Sequence, residues 1–344
     1  MAKTQAGHFF EDYRIGQVFT HAVPRTLGEG DRALYTALYP NRFALASSDA
    51  FARACGLAGS PFEALAVFHT VFGKTVPDIS LNAIANLGYA EAVLGRPVYP
   101  GTTLCATSEV IGLRETSSRQ SGVVWVRTRG LDETGAEVAR FCRWVMVRKR
   151  DAAAAVGAPV VPDLAPCIAS GDLPVPEGLD FARYDFALAG DPHRCSDYAP
   201  GERIDHLDRV TVEEAEHMLA TRLWQNTARV HFDTGARPDG RRLVYGGHVM
   251  SLARALTFNG LANAQILVAI NAGTHANPCF AGDTLSAWSE VIETAATGAP
   301  GVGALRLRTV AVRGDAPPFA LRDPGGRHLA DVLLDLDYWV LMPN

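Results

Sequence analysis

His231 and Asn226 stand five positions apart in the stretch Trp224-Gln225-Asn226-Thr227-Ala228-Arg229-Val230-His231-Phe232. An imidazole titrates near neutral pH, so it can take a proton and give it back. A side-chain amide can orient a water but cannot accept its proton. Further along, Gly246-Gly247 opens an apolar segment that begins near His248. Glycines before a helix leave the first backbone N–H groups unblocked and add the positive end of the helix dipole. That combination can polarise a thioester carbonyl and hold the enolate formed when a nucleophile adds at the β-carbon. Each feature also has a plainer reading. A single histidine is more often a satisfied structural one, and a glycine pair can serve a tight turn for backbone reasons alone.

The elements that must position these residues come in two copies. Asp12-Tyr13-x-x-Gly16 with His21 recurs as Asp197-Tyr198-x-x-Gly201 with His206, each 185 apart (197 − 12, 206 − 21). Gly101-x-Thr103-Leu104-x-Ala106-x-Ser108-Glu109-Val110-Ile111 returns as Gly282-x-Thr284-Leu285-x-Ala287-x-Ser289-Glu290-Val291-Ile292, offset by 181 (282 − 101). The chain is a tandem duplication. At the first offset Asn226 meets Asn41 and His231 meets Ala46. Gly246-Gly247 meets Leu65-Ala66 at the second. Copy one keeps the amide and lacks both the imidazole and the glycines, which argues against a purely structural role for His231.

Within each copy the periodicity predicts an amphipathic helix (29–39; 212–224) and then a more apolar, buried helix (62–75; 247–259). Strands follow at 103–113, 123–129 and 140–147, echoed at 284–293, 304–312 and 332–341, with alternation suited to an antiparallel sheet. His231 falls in an extended-looking run after the first helix of copy two. Residues 151–180, with Ala152 to Ala155 and five prolines, read as a semi-extended linker. The division is therefore 1–150, linker, and 181–344, each copy an α+β unit with one buried helix against one antiparallel sheet.

Composition narrows the function. Among 344 residues, 48% are hydrophobic and the net charge of -5 is spread without a basic block, so neither nucleic acid nor a membrane surface is expected as partner. No apolar run has the length of a signal peptide or a spanning helix, which predicts a cytoplasmic protein. The six cysteines show no C-x-x-C pair, and Glu213-Glu214-Ala215-Glu216-His217 lacks two histidines at helical spacing, so no metal is expected. A small-molecule substrate remains.

The first helix of copy two, the run from Asn226 to His231 and the turn Val244-Tyr245-Gly246-Gly247 together resemble the MaoC-type (R)-specific enoyl-CoA hydratases. The motif of that family is Gly-Asp-x-Asn-Pro-x-His. Aligned on His231, Gln225-Asn226 stands where the family has Gly-Asp and Ala228-Arg229 where it has Asn-Pro, so only the histidine is shared. Longer stretches carry a closer resemblance: Phe9-Phe10-Glu11-Asp12, the run from Phe68 to Tyr89, Trp144 to Arg150, and Gln225 to Phe232. Nearly end to end they resemble the mesaconyl-CoA hydratase (β-methylmalyl-CoA dehydratase) family.

The resemblance implies a tandem (double) hotdog, each unit an antiparallel sheet wrapped around a buried central helix. Copy one would shape the acyl-CoA pocket and copy two would be catalytic. The implied reaction is reversible syn hydration of mesaconyl-C1-CoA to β-methylmalyl-CoA, by a hydro-lyase with no metal and no cofactor, CoA being part of the substrate. His231 and Asn226 would be the catalytic pair, and Gly246 and Gly247 the oxyanion hole. Asn226 occupies the family's carboxylate position, so either His231 performs both proton transfers or a carboxylate from elsewhere, Asp233 or Glu216, substitutes. Arg229 could pair with the free carboxylate of the substrate, with Arg222, Arg241 and Arg242 in reserve, the last two for CoA phosphates. A homo-oligomer is expected because sheet edges in such folds are often covered by a neighbour. Three rivals remain: a hotdog acyl-CoA thioesterase, a hydratase for another enoyl-CoA, and a non-catalytic acyl-CoA binding or assembly subunit.

Overall fold

The computed structural model describes residues 3–314 and 319–344. Its eleven strands are β1 (Val18–Thr20), β2 (Arg25–Thr26), β3 (Ala83–Val93), β4 (Thr103–Glu115), β5 (Ser121–Leu131), β6 (Glu137–Arg148), β7 (Arg203–Thr211), β8 (Ile266–His275), β9 (Thr284–Ala296), β10 (Val302–Arg313) and β11 (Val332–Pro343). They form one antiparallel sheet in the order β1-β4-β5-β6-β3-β8-β11-β10-β9-β7, with β2 also on β4. Copy one supplies the first five of that order and copy two the last five. They meet where β3 pairs with β8, Tyr89 opposite Gly273 and Val93 opposite Ala269.

Six of these strands are the ones that alternation predicts. In β4, for example, Leu104, Ala106, Ser108 and Val110 are buried while their neighbours are not. β3 and β8 carry no such signal. β3 pairs with β6 through three register shifts, and β8 is buried on both faces for most of its length. The seam between the copies, together with the outer strands β1, β2 and β7, is therefore the part of the sheet that periodicity does not reveal.

Each copy wraps its sheet around one apolar helix, Ala64–Thr75 in copy one and Gly246–Leu256 in copy two. Residues Leu65 to Thr75 are all buried, so this helix has no wet face. The two central helices are tied across the seam. His69 Nε2 lies 2.8 Å from Ser251 Oγ, and a buried ion pair joins Arg254 to Glu63 at 3.4 Å.

The duplication extends to buried hydrogen bonds. In copy one His21 Nε2 meets Ser108 Oγ at 2.8 Å and Ser108 meets Thr128 Oγ1 at 2.8 Å. In copy two His206 Nε2 meets Ser289 Oγ at 2.8 Å and Ser289 meets Thr309 Oγ1 at 2.8 Å. Residues 151–180 contain no strand and one short helical turn, Ser170–Asp172. The segment is pinned across the seam: Ala165 N–H donates to Glu91 of β3 at 2.9 Å, Ile168 N–H to Asn271 of β8 at 2.8 Å, and Trp339 of β11 to the Ile168 carbonyl at 3.0 Å.

Candidate active site

The loop that carries His231 is set by how the preceding helix, Glu214–Leu223, stops. Gln225 N–H donates to Arg222 O at 3.0 Å and Asn226 N–H to Thr221 O at 3.1 Å, with Gln225 in the left-handed region at φ 52. This is a Schellman stop with glutamine where glycine is usual. Asn226 then accepts Ala228 N–H on its Oδ1 at 3.0 Å, a turn that Asn41 repeats on Phe43 N–H in copy one. Arg229–His231 follows as a single 3-10 turn rather than the expected extended run.

Leu243 holds that turn from both sides: its N–H donates to Val230 O at 2.9 Å, and its carbonyl accepts from His231 Nδ1 at 2.7 Å. With Nδ1 donating, Nε2 carries the lone pair. Burial pulls the His231 imidazole down to about 4, because the charged form loses its hydration. The ring is therefore neutral near pH 7, with an accepting Nε2.

His231 and Asn226 both line a cavity of about 380 Å³. Its walls come from both copies. Copy two contributes Gly246, Tyr245, His275 and Arg237; copy one contributes Ser80, Asn86, Tyr89 and Arg143. No Asp or Glu is among the lining residues. Asp233 is exposed and spends Oδ1 on Gly235 N–H, and Glu216 is exposed on its helix, so neither reaches the cavity in place of the missing carboxylate. His275 shares its Nε2 with Tyr89 OH at 3.1 Å and is held at about 4 by burial, with His231 near enough to add to the effect.

The central helix of copy two begins against this cavity. Its N-cap, Tyr245, makes no side-chain cap, and the N–H groups of Gly246 and Gly247 have no acceptor among the described residues. Copy one treats the same helix end differently, since Glu63 folds back to accept Leu65 N–H at 2.8 Å. Neither Gly246 nor Gly247 has positive φ, so no strained turn demands them. They are required by close approach: a Cβ on Gly246 would lie 2.6 Å from the His275 ring, and one on Gly247 2.6 Å from the His69 ring. Gly246 lines the cavity, and Gly247 is buried directly behind it.

Arg229 lies elsewhere. It is exposed and absent from the cavity lining, because side chains two apart on a 3-10 turn point to different sides. Arg222 is also exposed, Arg242 is engaged by Glu214 and the Phe232 carbonyl, and Arg241 stacks 3.8 Å from the centre of the Phe280 ring. The arginines on the cavity are Arg237, paired with Asp239 at 2.7 Å, and Arg143. Sequence reasoning missed Arg143, Asn86, Tyr89 and His275. Arg143 had a usable signal, since alternation along β6 puts it on the same face as Phe141, Val145 and Val147, all buried.

One contact fixes the loop against copy one. A Cβ on Gly73, in the central helix, would fall 1.8 Å from the Trp224 carbonyl oxygen. Gly73→Ala is expected to cost about 3 kcal/mol through overpacking of backbone against backbone. It should also lower activity by displacing the turn that leads to Asn226. A urea titration alongside kcat checks this, and unchanged values for both would mean that the helix and loop part readily.

The sequence signature of the family described as Mesaconyl-CoA hydratase matches residues 1–323. The chain is 67% identical over 342 residues to Mesaconyl-CoA hydratase of Cereibacter sphaeroides, covering 99% of this chain and 100% of that protein. It is 56% identical over 349 residues to Beta-methylmalyl-CoA dehydratase of Chloroflexus aurantiacus, covering 100% and 99%. Among solved structures, a MaoC-domain protein from Chloroflexus aurantiacus superposes with a TM-score of 0.98 at 55% identity, over 100% of this chain and 99% of that one. A Mycobacterium tuberculosis protein described as a double hotdog fold gives a TM-score of 0.77 at 28% identity, over 98% of each chain. The fold is a tandem hotdog, and among the described residues no helix is long and apolar enough to cross a membrane. The chain is a hydro-lyase that belongs to the mesaconyl-CoA hydratase family of MaoC-like proteins.

Proposed function

We propose that the chain catalyses the reversible hydration of mesaconyl-C1-CoA to β-methylmalyl-CoA in this cavity. The observation that carries the reading is the state of His231: a neutral imidazole with Nδ1 committed to Leu243 O and Nε2 left to accept, on a cavity without a carboxylate.

In the hydration direction, His231 Nε2 takes a proton from a water whose oxygen is oriented by the Asn226 amide N–H. Asn226 Oδ1 is already used by Ala228 N–H, so this amide serves as donor. The oxygen bonds to the β-carbon while the π electrons shift toward the thioester, and the enolate oxygen rests on the Gly246 and Gly247 N–H groups. The imidazolium then gives its proton to the α-carbon and is neutral again. Because one group delivers both parts of the water from one side, addition is syn. Arg237, at the cavity wall, and Arg241 beside it are the candidates for the CoA phosphates.

The thioesterase alternative calls for a group to activate water at the carbonyl, commonly a carboxylate, and the cavity has none. Offering mesaconyl-C1-CoA while following both the enoyl-thioester absorbance and a thiol reagent separates the two. Loss of absorbance without free thiol is expected. Release of CoA thiol in step with substrate loss would replace hydration by hydrolysis.

A further inference from the structure

Among the described residues, one arginine near the site stands without a counter-charge. Arg143 is fully buried on the inner face of β6 and lines the cavity. One edge of its guanidinium is satisfied, with Nη2 donating to Thr75 Oγ1 at 2.7 Å and to Ser80 Oγ at 3.3 Å. Phe72 covers one face at 4.3 Å. Nε and Nη1 are buried and have no acceptor among the described residues. Nearby, on β3, the Asn86 side-chain amide also lines the cavity, and both its Oδ1 and Nδ2 are buried without partners among the described residues.

Among the described residues no carboxylate pairs with this charge. The ionisable groups that act on Arg143 are Tyr89, Tyr245 and Tyr13, all neutral near pH 7. Burial lowers the guanidinium to about 10, which measures the lost hydration without abolishing the charge. A buried cation with open donors is costly unless something completes it. Two neighbouring side chains with unfilled hydrogen-bonding capacity, on the wall contributed by copy one, call for an anion brought in from outside.

We infer that Arg143, assisted by Asn86, receives the free carboxylate of the substrate and thereby selects thioesters of dicarboxylic acids over monocarboxylic enoyl-CoA. The inference rests on the hydratase reading for the identity of the substrate, and on the geometry for the charge of its distal end. Copy two would then act at the double bond while copy one reads the far end of the acyl group. A monocarboxylic substrate would fill the same space and leave the guanidinium unpaired, and polar sites discriminate strongly in that way.

The test is a ratio. Wild type, Arg143→Met and Arg143→Lys are compared for kcat/KM on mesaconyl-C1-CoA and on crotonyl-CoA, which lacks the carboxylate. The discrimination ratio should fall about 100-fold in Arg143→Met, the scale of a lost charge-assisted contact, and partly recover in Arg143→Lys. A fall by the same factor on both substrates would mean that Arg143 only braces Thr75 and Ser80, and would overturn the inference. Binding of succinyl-CoA against butyryl-CoA, neither of which can be hydrated, reads the anchor apart from the chemistry. Wild type should prefer succinyl-CoA and the Met variant should not; an undiminished preference would also overturn it. If wild type hydrates neither enoyl substrate, the hydratase reading fails, and this binding pair still decides the anchor. If Arg143→Met does not fold, Arg143→Gln, which can keep a bond to Thr75 or Ser80, is judged by the same ratios.

Discussion

His231→Ala should lower kcat for hydration about 1000-fold while the protein stays folded, since general acid-base catalysis by a placed side chain is worth roughly two to four powers of ten. The loss should fall on kcat rather than on KM, because the imidazole handles the reacting protons and not the bulk of the acyl-CoA. His231→Gln sharpens the point. Glutamine can still donate to the Leu243 carbonyl but cannot accept a proton, so it should be almost as slow as alanine. Near wild-type turnover in either variant would remove His231 from the chemistry.

The pH profile carries the same information. Only the neutral ring can take a proton from water, and the free enzyme holds that ring at about 4. Then kcat/KM should be flat from neutral pH downward until roughly one unit above that value. An acid limb near 6.5 would instead indicate a hydrated, ordinary imidazole.

Acid should unfold this protein earlier than carboxylate titration alone would predict. Burial holds five histidines low, His69 and His248 at about 3 and His206, His231 and His275 at about 4, and lowers a sixth, His217, in the same direction. Each has a folded value below its unfolded value near 6.5. The unfolded chain therefore binds more protons in between, and stability rises with pH across that window. The contribution is complete above about 6.5 and is lost as pH falls toward 4. At pH 5 this amounts to about 2 kcal/mol per histidine, so that even a fraction of the five-fold sum is large against a total of about 5–15 kcal/mol. Carboxylates such as Asp12 and Asp78, lowered by their own partners, titrate below this range. Urea midpoints should drop steeply between pH 6.5 and 5. A flat plot over that interval would mean that the imidazoles accept protons in place.

Much of the fold is legible in the amino-acid sequence. Repetition locates both central helices and six strands, and it distinguishes His231 from Ala46 by position alone. Periodicity does not supply β3 and β8, whose bulged or doubly buried patterns carry no alternation, and with them go Asn86, Tyr89 and His275. Arg229 misleads because closeness to His231 along the chain suggests closeness in space, and a 3-10 turn separates the two side chains. Arg143 escapes notice because an arginine in a strand reads as solvent-facing unless its parity is counted.

The differing ends of the two central helices bear on why the copies share one chain. A dimer of two identical halves must repeat every residue, so both helix ends would be bare or both would be plugged by a glutamate. Here Glu63 plugs one end and binds Arg254 of the other half, while Tyr245 leaves the second end open to the cavity. Fusion frees the two ends to differ: one helix end can stay open to a cavity whose opposite wall the other half supplies.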